Sequence, residues 1–246
     1  MQRILSILLV GVVLAAGCGS DTSGEPLAGR PPLASPPDPG PPPDNDGLTA
    51  DVRHDVARST VRVTGIACGR TTEGSGFAVG SDLIATNAHV LVGVDTPTVE
   101  LGDGTSLDGE IVAFNVIDDL ALIRVRGTDF KPLPLGPAAD GTVGAVFGWE
   151  PGPTIDPTPF RIDRPVTVRI EAVASKERIE RRSWLLAARI EAGDSGAALS
   201  DPTGTVVGVA YATTTRGSSV AYAVRAERLE ALIAEGLDPD LVVPDC

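Results

Sequence analysis

A chain of 246 residues is long enough for one large all-β domain or two small ones. It is 42% hydrophobic but only 4% aromatic, so Val, Ala, Leu and Ile must fill any core. A formal charge of −13, with 20 Lys and Arg against 33 Asp and Glu, argues against nucleic acid as a partner, because phosphate contacts need clustered cations.

The first element is an apolar run of 13 residues, Ile4 to Ala16. A spanning helix needs about 20, so the run reads as the core of an export signal. It ends in Leu14-Ala15-Ala16-Gly17-Cys18, which resembles a bacterial lipobox. That resemblance implies a lipoprotein signal over residues 1–18, with Cys18 acylated and anchored in the cell membrane, facing the periplasm or the extracellular side. The other reading is an ordinary secretory signal cleaved near Gly17 or Ser20. Residues 19–49 hold Pro26, Pro31, Pro32, Pro36, Pro37, Pro39, Pro41, Pro42 and Pro43. They read as a disordered Pro-rich linker, a spacer rising about 3.1 Å per residue.

A single domain is expected over residues 50–246. Ala50 to Ser59 reads as a short amphipathic helix, and Thr60 to Ile66 alternates as a strand does. Gly74 to Val79 and Leu83 to Thr86 follow as strands, the second running into Asn87-Ala88-His89-Val90. Thr98 to Leu101, Gly109 to Asn115 and Leu120 to Val125 continue the β pattern. Lys131 to Gly141 reads as a crossing between halves. Thr142 to Trp149, Val166 to Ser175, Ser183 to Ile190, Val206 to Ala212 and Val220 to Val224 form a second set. Arg225 to Gly236 has helical spacing, with Leu229, Leu232 and Ile233 on one face. Many short strands with Gly and Pro turns point to an all-β fold, and two sets of them to two barrels.

The strongest chemical signal is Gly193-Asp194-Ser195-Gly196. A Ser hydroxyl needs a base before it is nucleophilic, and flanking glycines permit the sharp turn that exposes it. The backbone N–H groups of Gly193 and Ser195 can then face a developing oxyanion. The chain has two His. His89, at a strand end, is the candidate base; His54, on the N-terminal helix among charged residues, reads as a surface side chain. A carboxylate must orient the imidazole, and Asp119 heads an apolar strand. Its neighbour Asp118 competes, and in an extended segment the two point oppositely. His89, Asp119 and Ser195 occur in that order, separated by 30 and 76 residues, which is the order of chymotrypsin-type enzymes.

The motifs TNAHV, DLALI and GDSG together resemble trypsin-like serine proteases of the bacterial HtrA/DegP kind, and most closely the mycobacterial periplasmic acid-resistance branch. The resemblance covers residues 50–246. It implies two perpendicular six-stranded barrels with the triad in the cleft between them, and endopeptidase action on proteins or peptides through an acyl-enzyme. It implies no cofactor. No PDZ domain is expected after the terminal helix. The family's usual Gly-Gly-Pro after the nucleophile is Gly196-Ala197-Ala198 here, which sets a methyl near the catalytic turn.

Cys68 and Cys246 remain once Cys18 carries lipid. An exported protein retains disulfides, and the pair matches one in the acid-resistance branch. With no CxxC or paired His nearby, a metal site is not expected. The family pattern places the S1 pocket among Arg189, Ala192, Val209 and Ala210. An inward Arg189 would select acidic P1 residues; an outward one, favoured for a long charged side chain, leaves a small apolar pocket. The function expected is a tethered serine endopeptidase in envelope stress or protein quality control. The alternative is a weak or inactive protease-fold lipoprotein that acts as a binding module.

Overall fold

The Thr49 hydroxyl accepts a hydrogen bond from the Val52 N–H at 3.3 Å, and this cap starts helix α1 (Ala50–Arg58). The computed structural model describes residues 38–149, 155–172, 175, 177–213, 219–238 and 241–245. Strands β1 (Thr60–Ala67), β2 (Arg70–Ala78), β3 (Leu83–Thr86), β4 (Thr98–Glu100), β5 (Ser106–Asp108), β6 (Glu110–Asn115) and β7 (Leu120–Arg124) build an antiparallel sheet in the order β5-β4-β1-β2-β3-β7-β6. Strands β8 (Val143–Phe147), β9 (Thr158–Glu171), β10 (Arg178–Ala188), β11 (Ala198–Ser200), β12 (Val206–Thr213) and β13 (Val220–Arg225) close into a barrel, β10-β13-β12-β11-β8-β9. Helix α2 (Ala226–Glu235) packs on β12 and β13.

The second half is therefore the expected six-stranded barrel. The first is a half-barrel of seven strands rather than six; the addition is β5, whose three residues pair with β4 at the sheet edge.

Strand alternation explains why so many strands are apolar on both faces. Along β7, Ala121 and Ile123 point into the first half, while Leu120 and Leu122 join a cluster shared by both halves. Along β10, Trp184 and Leu186 fill the second barrel, and Leu185 enters the shared cluster. Phe77, Phe147 and Val209 also belong to that layer, as do Val56 of α1 and Leu229 and Leu232 of α2. Successive side chains on a strand face opposite ways, so each central strand contributes to its own interior and to the junction.

The sixth strand of the second set, β11, is one the sequence pattern did not mark, because its three residues follow directly on the Ser195 turn. Two further stretches differ from the sequence expectation. β9 and β10 are longer than predicted and pair from Arg178↔Glu171 to Ala188↔Phe160. The missed start of β9, Thr158–Pro165, carries Pro159 and Pro165, which read as breaks in a strand. The missed start of β10, Arg178–Arg182, is rich in Arg and Glu, so the hydrophobic pattern is faint there. Residues 38–49, expected within the linker, belong to the body, which begins at Asp38. The Pro39 carbonyl accepts from Arg161 at 2.6 Å. Asp46, only 1% exposed, accepts from the Leu48 N–H and from Arg53. Residues 1–37, with Cys18, lie outside the described residues.

Leu185 is fully buried in the shared layer. Leu185→Ala is expected to lower unfolding free energy by about 2–5 kcal/mol, read as a fall in the urea midpoint.

Candidate active site

His89 lies on a single 3-10 turn, Ala88–Val90, directly after β3. Asp119 lies across from it in the turn before β7. Its backbone is left-handed, φ 58°, which is uncommon for a residue with a side chain. That conformation replaces the extended geometry expected from the sequence, and neighbouring contacts hold it. The Asp119 carbonyl accepts from the Ala88 N–H at 3.1 Å and from Asn87 Nδ2 at 2.9 Å. Its carboxylate is buried. Oδ1 accepts from the His89 N–H at 2.8 Å, and Oδ2 lies 2.8 Å from His89 Nδ1. A carboxylate only accepts, so Nδ1 carries the proton and Nε2 is left with its lone pair. The His89 side chain is 37% exposed, open to an incoming group.

The same turn separates Asp119 from Asp118. Asp118 turns to α2, where its carboxylate takes Arg228 Nε and Nη2 at 2.6–3.0 Å. The pairing raises the Arg228 guanidinium above its ordinary range. Asp118 is a structural anchor; Asp119 faces the imidazole.

Ser195 sits between two glycines with positive φ, Gly193 at 105° and Gly196 at 89°. At Gly196 the absence of a side chain is required: a Cβ there would stand 2.1 Å from the Ser75 carbonyl oxygen and 3.1 Å from the Asn87 nitrogen. The nucleophile turn thus packs directly on the residues that lead into His89. Ser75 of β2 grips it from the first half. Its N–H donates to the Ser195 carbonyl at 2.7 Å, and its hydroxyl donates to the Gly193 carbonyl at 2.7 Å. The Trp149 N–H donates to that hydroxyl at 2.8 Å. With both carbonyls held, the N–H groups of Gly193 and Ser195 have no acceptor among the described residues. No hydrogen bond joins Ser195 Oγ to His89 among those residues.

Ala197 and Ala198 are fully buried, one in the second barrel and one in the shared layer. Their methyls fill core rather than crowd the cleft.

Of the expected pocket residues, Val209 and Ala210 have fully buried side chains in two different core clusters, and the Ala210 carbonyl accepts from the Gly196 N–H at 2.9 Å, next to Ser195. Arg189 is exposed. With Ala192, Gly193, Trp149 and Glu73 it borders a cavity of about 720 Å³. No acidic, Cys and His cluster able to hold a metal occurs among the described residues. Cys68 occupies the left-handed β1–β2 turn, φ 52°; Cys246, its expected partner, lies outside the described residues.

Sequence reasoning missed Arg181, whose guanidinium reaches Asp119 Oδ2 at 3.2 Å. It lies in the charged stretch Glu180-Arg181-Arg182, which reads as solvated surface. It also missed Ser75, whose only mark was its place between Gly74 and Gly76.

Residues 74–209 match the trypsin-like peptidase domain family. The serine protease Rv3671c of Mycobacterium tuberculosis is 28% identical over 220 residues, 87% of this chain and 55% of that protein. A probable periplasmic serine endoprotease, DegP-like, of Halomonas elongata is 32% identical over 148 residues, 57% of this chain and 29% of that protein. The chain thus spans about half the length of the first relative and less of the second. The crystal structure of the Rv3671c protease in its active form superposes with a TM-score of 0.79 at 26% identity, covering 88% of this chain and 98% of that one. The inactive form superposes with a TM-score of 0.67, covering 80% and 97%.

Asp118→Asn is expected to lower stability by about 1–2 kcal/mol, at the lower end for a bond to a charged group because Arg228 can turn to water. Urea unfolding reads this loss, and the reactivity of Ser195 is expected to stay at the wild-type level.

Proposed function

The chain belongs to the trypsin-like peptidase family, and from that premise we propose that it is a serine endopeptidase with His89, Asp119 and Ser195 as its triad. The observation that carries this reading is the double hold on Asp119: one carboxylate oxygen on the His89 N–H and the other on Nδ1, both at 2.8 Å. This hold presents the Nε2 lone pair outward. Nε2 takes the Ser195 proton as Oγ bonds to the scissile carbonyl carbon. The carbonyl oxygen becomes an oxyanion facing the N–H groups of Gly193 and Ser195, an interaction worth about 3–4 kcal/mol per donor. The C–N bond then breaks, and the leaving amine takes the proton from the imidazolium. Water repeats the sequence on the acyl-enzyme ester, giving the acid product and free Ser195. Asp119 keeps the tautomer and stabilises the imidazolium without itself taking the proton.

The substrates are proteins or peptides, cleaved outside the cytoplasm in envelope stress or protein quality control. A lipid on Cys18 holds the enzyme to the membrane, with part of the Pro-rich stretch as spacer. The Gly93 N–H donates to the Pro244 carbonyl at 2.9 Å, so the C-terminal segment returns to the first half. That course supports a bond from Cys246 to Cys68, which would tie the terminus beside the turn that carries His89.

A fluorophosphonate probe is expected to label folded protein at Ser195. Ser195→Ala should abolish labelling and lower casein turnover by roughly 10⁶-fold, while Asp119→Asn should lower kcat by roughly 10⁴-fold. An unlabelled, inactive wild type would overturn the assignment.

Fractionation tests the anchor. The wild type is expected in the membrane fraction, and Cys18→Ser in the soluble exported fraction or retained with its signal uncleaved. Wild-type protein free of acyl groups by mass spectrometry would refute it.

A further inference from the structure

Among the described residues, the buried charged side chains are Asp46, Asp118, Asp119 and Arg181, and Arg181 is the only cation of the four. It comes from β10, in the second barrel, with a side chain 2% exposed. All three of its polar contacts fall on one turn of the other half. Nε donates to the Ile117 carbonyl at 2.9 Å, Nη2 to the Val116 carbonyl at 3.4 Å and Nη1 to Asp119 Oδ2 at 3.2 Å. Its guanidinium lies over the Tyr211 ring, 4.9 Å from the centroid. Tyr211 is itself held by a 2.9 Å hydrogen bond to Ser183, and burial pushes its hydroxyl up to about 12. The cation is thus walled by a neutral ring on one side and joined to the Asp119 turn on the other.

We propose that Arg181 is a positioning residue for the triad, setting the Asp119 carboxylate from the opposite barrel so that the His89 imidazole is aimed at Ser195. The proposal rests on the reading of Ser195 as nucleophile. Its physical basis is threefold. Oδ2 is shared between His89 Nδ1 and Arg181 Nη1, so the guanidinium is the one hold on the carboxylate among these that comes from outside His89 itself and so can aim the Asp119–His89 pair. The left-handed backbone of Asp119 is a conformation that surrounding contacts must hold, and Arg181 binds the two carbonyls just before it. A buried ion pair is weak evidence for stability, since apolar residues of similar volume often serve as well. What the cation supplies that a hydrocarbon would not is a direction for the carboxylate. The fork of a guanidinium makes these three contacts at fixed angles, which an ammonium does not.

The test compares full-length wild type, Arg181→Met, Arg181→Lys and Arg228→Met. Each is checked for cooperative unfolding, then measured for the second-order rate of fluorophosphonate labelling and for kcat and KM on a casein-derived peptide. Arg181→Met is expected to label about 100-fold more slowly, the scale of a small misplacement in an active site. Its kcat should fall in parallel with the labelling rate while KM stays within about twofold of wild type, and the downfield proton resonance of His89 Nδ1–H should be lost. Arg181→Lys keeps the charge without the fork and should sit between, about tenfold below wild type. Arg228→Met breaks the neighbouring pair with Asp118 and should label at the wild-type rate. A merely structural role would lower stability without the kcat-to-KM split or the lost resonance. Folded Arg181→Met or Arg181→Lys reacting as fast as wild type would overturn the proposal while leaving Ser195 as nucleophile. If Arg181→Met does not fold, Arg181→Lys decides alone. A wild type that takes no label would overturn the functional reading and this proposal with it.

Discussion

One apolar layer joins the two halves of the described residues. Phe77, Ala85 and Leu122 from the first half meet Phe147, Leu185 and Val209 from the second, with Leu229 and Leu232 of α2 closing one side. Because strands alternate, each central strand that feeds this layer also feeds the interior of its own half. Neither half can bury both faces of its strands alone. Docking of the halves is therefore part of folding, and the cleft between them is a product of it.

At the edge of that layer, polar groups of one half are satisfied by the other. Ser75 of β2 takes the carbonyls of Gly193 and Ser195. Arg181 of β10 takes the carbonyls of Val116 and Ile117 and the Asp119 carboxylate. Buried polar groups left without partners are costly, so these bonds fix the register of the halves as well as the site. The two left-handed requirements, at Asp119 and at Gly196, sit at these same crossings. Strain of this kind persists where the surroundings over-determine it, and here the surroundings come from both halves.

The termini extend the same logic. The stretch from Asp38 is tied down by Arg161 and Arg53, so residues 38–49 of the Pro-rich region belong to the body. The chain after α2 returns to the first half at Val112 and Gly93. Among the described residues, the stretch from Asp38 and the stretch after α2 are thus both tied to the body.

The sequence by itself marked the candidate nucleophile turn and the candidate base. Ser195 between glycines needs only local backbone freedom, and His89 was the better placed of two His. Most strands were legible from their apolar alternation. The pattern faded at three-residue β11, at the start of β9 between Pro159 and Pro165, and at the start of β10, where Arg and Glu fill the outer ladder. The sequence preferred Asp119 to Asp118 through its place at the head of the strand and the DLALI resemblance; tertiary structure supplied the reason, a left-handed turn at Asp119 and an Arg on α2 that takes Asp118. Tertiary structure alone placed the side chains of Val209 and Ala210 in two separate core clusters. It alone distinguished Arg181 from Arg182, identical neighbours in a charged run. One of them points into the junction because its partner across the ladder is Val168, on the face that turns toward the first half. Local chemistry names groups that can react; only packing across the junction sets which of them meet.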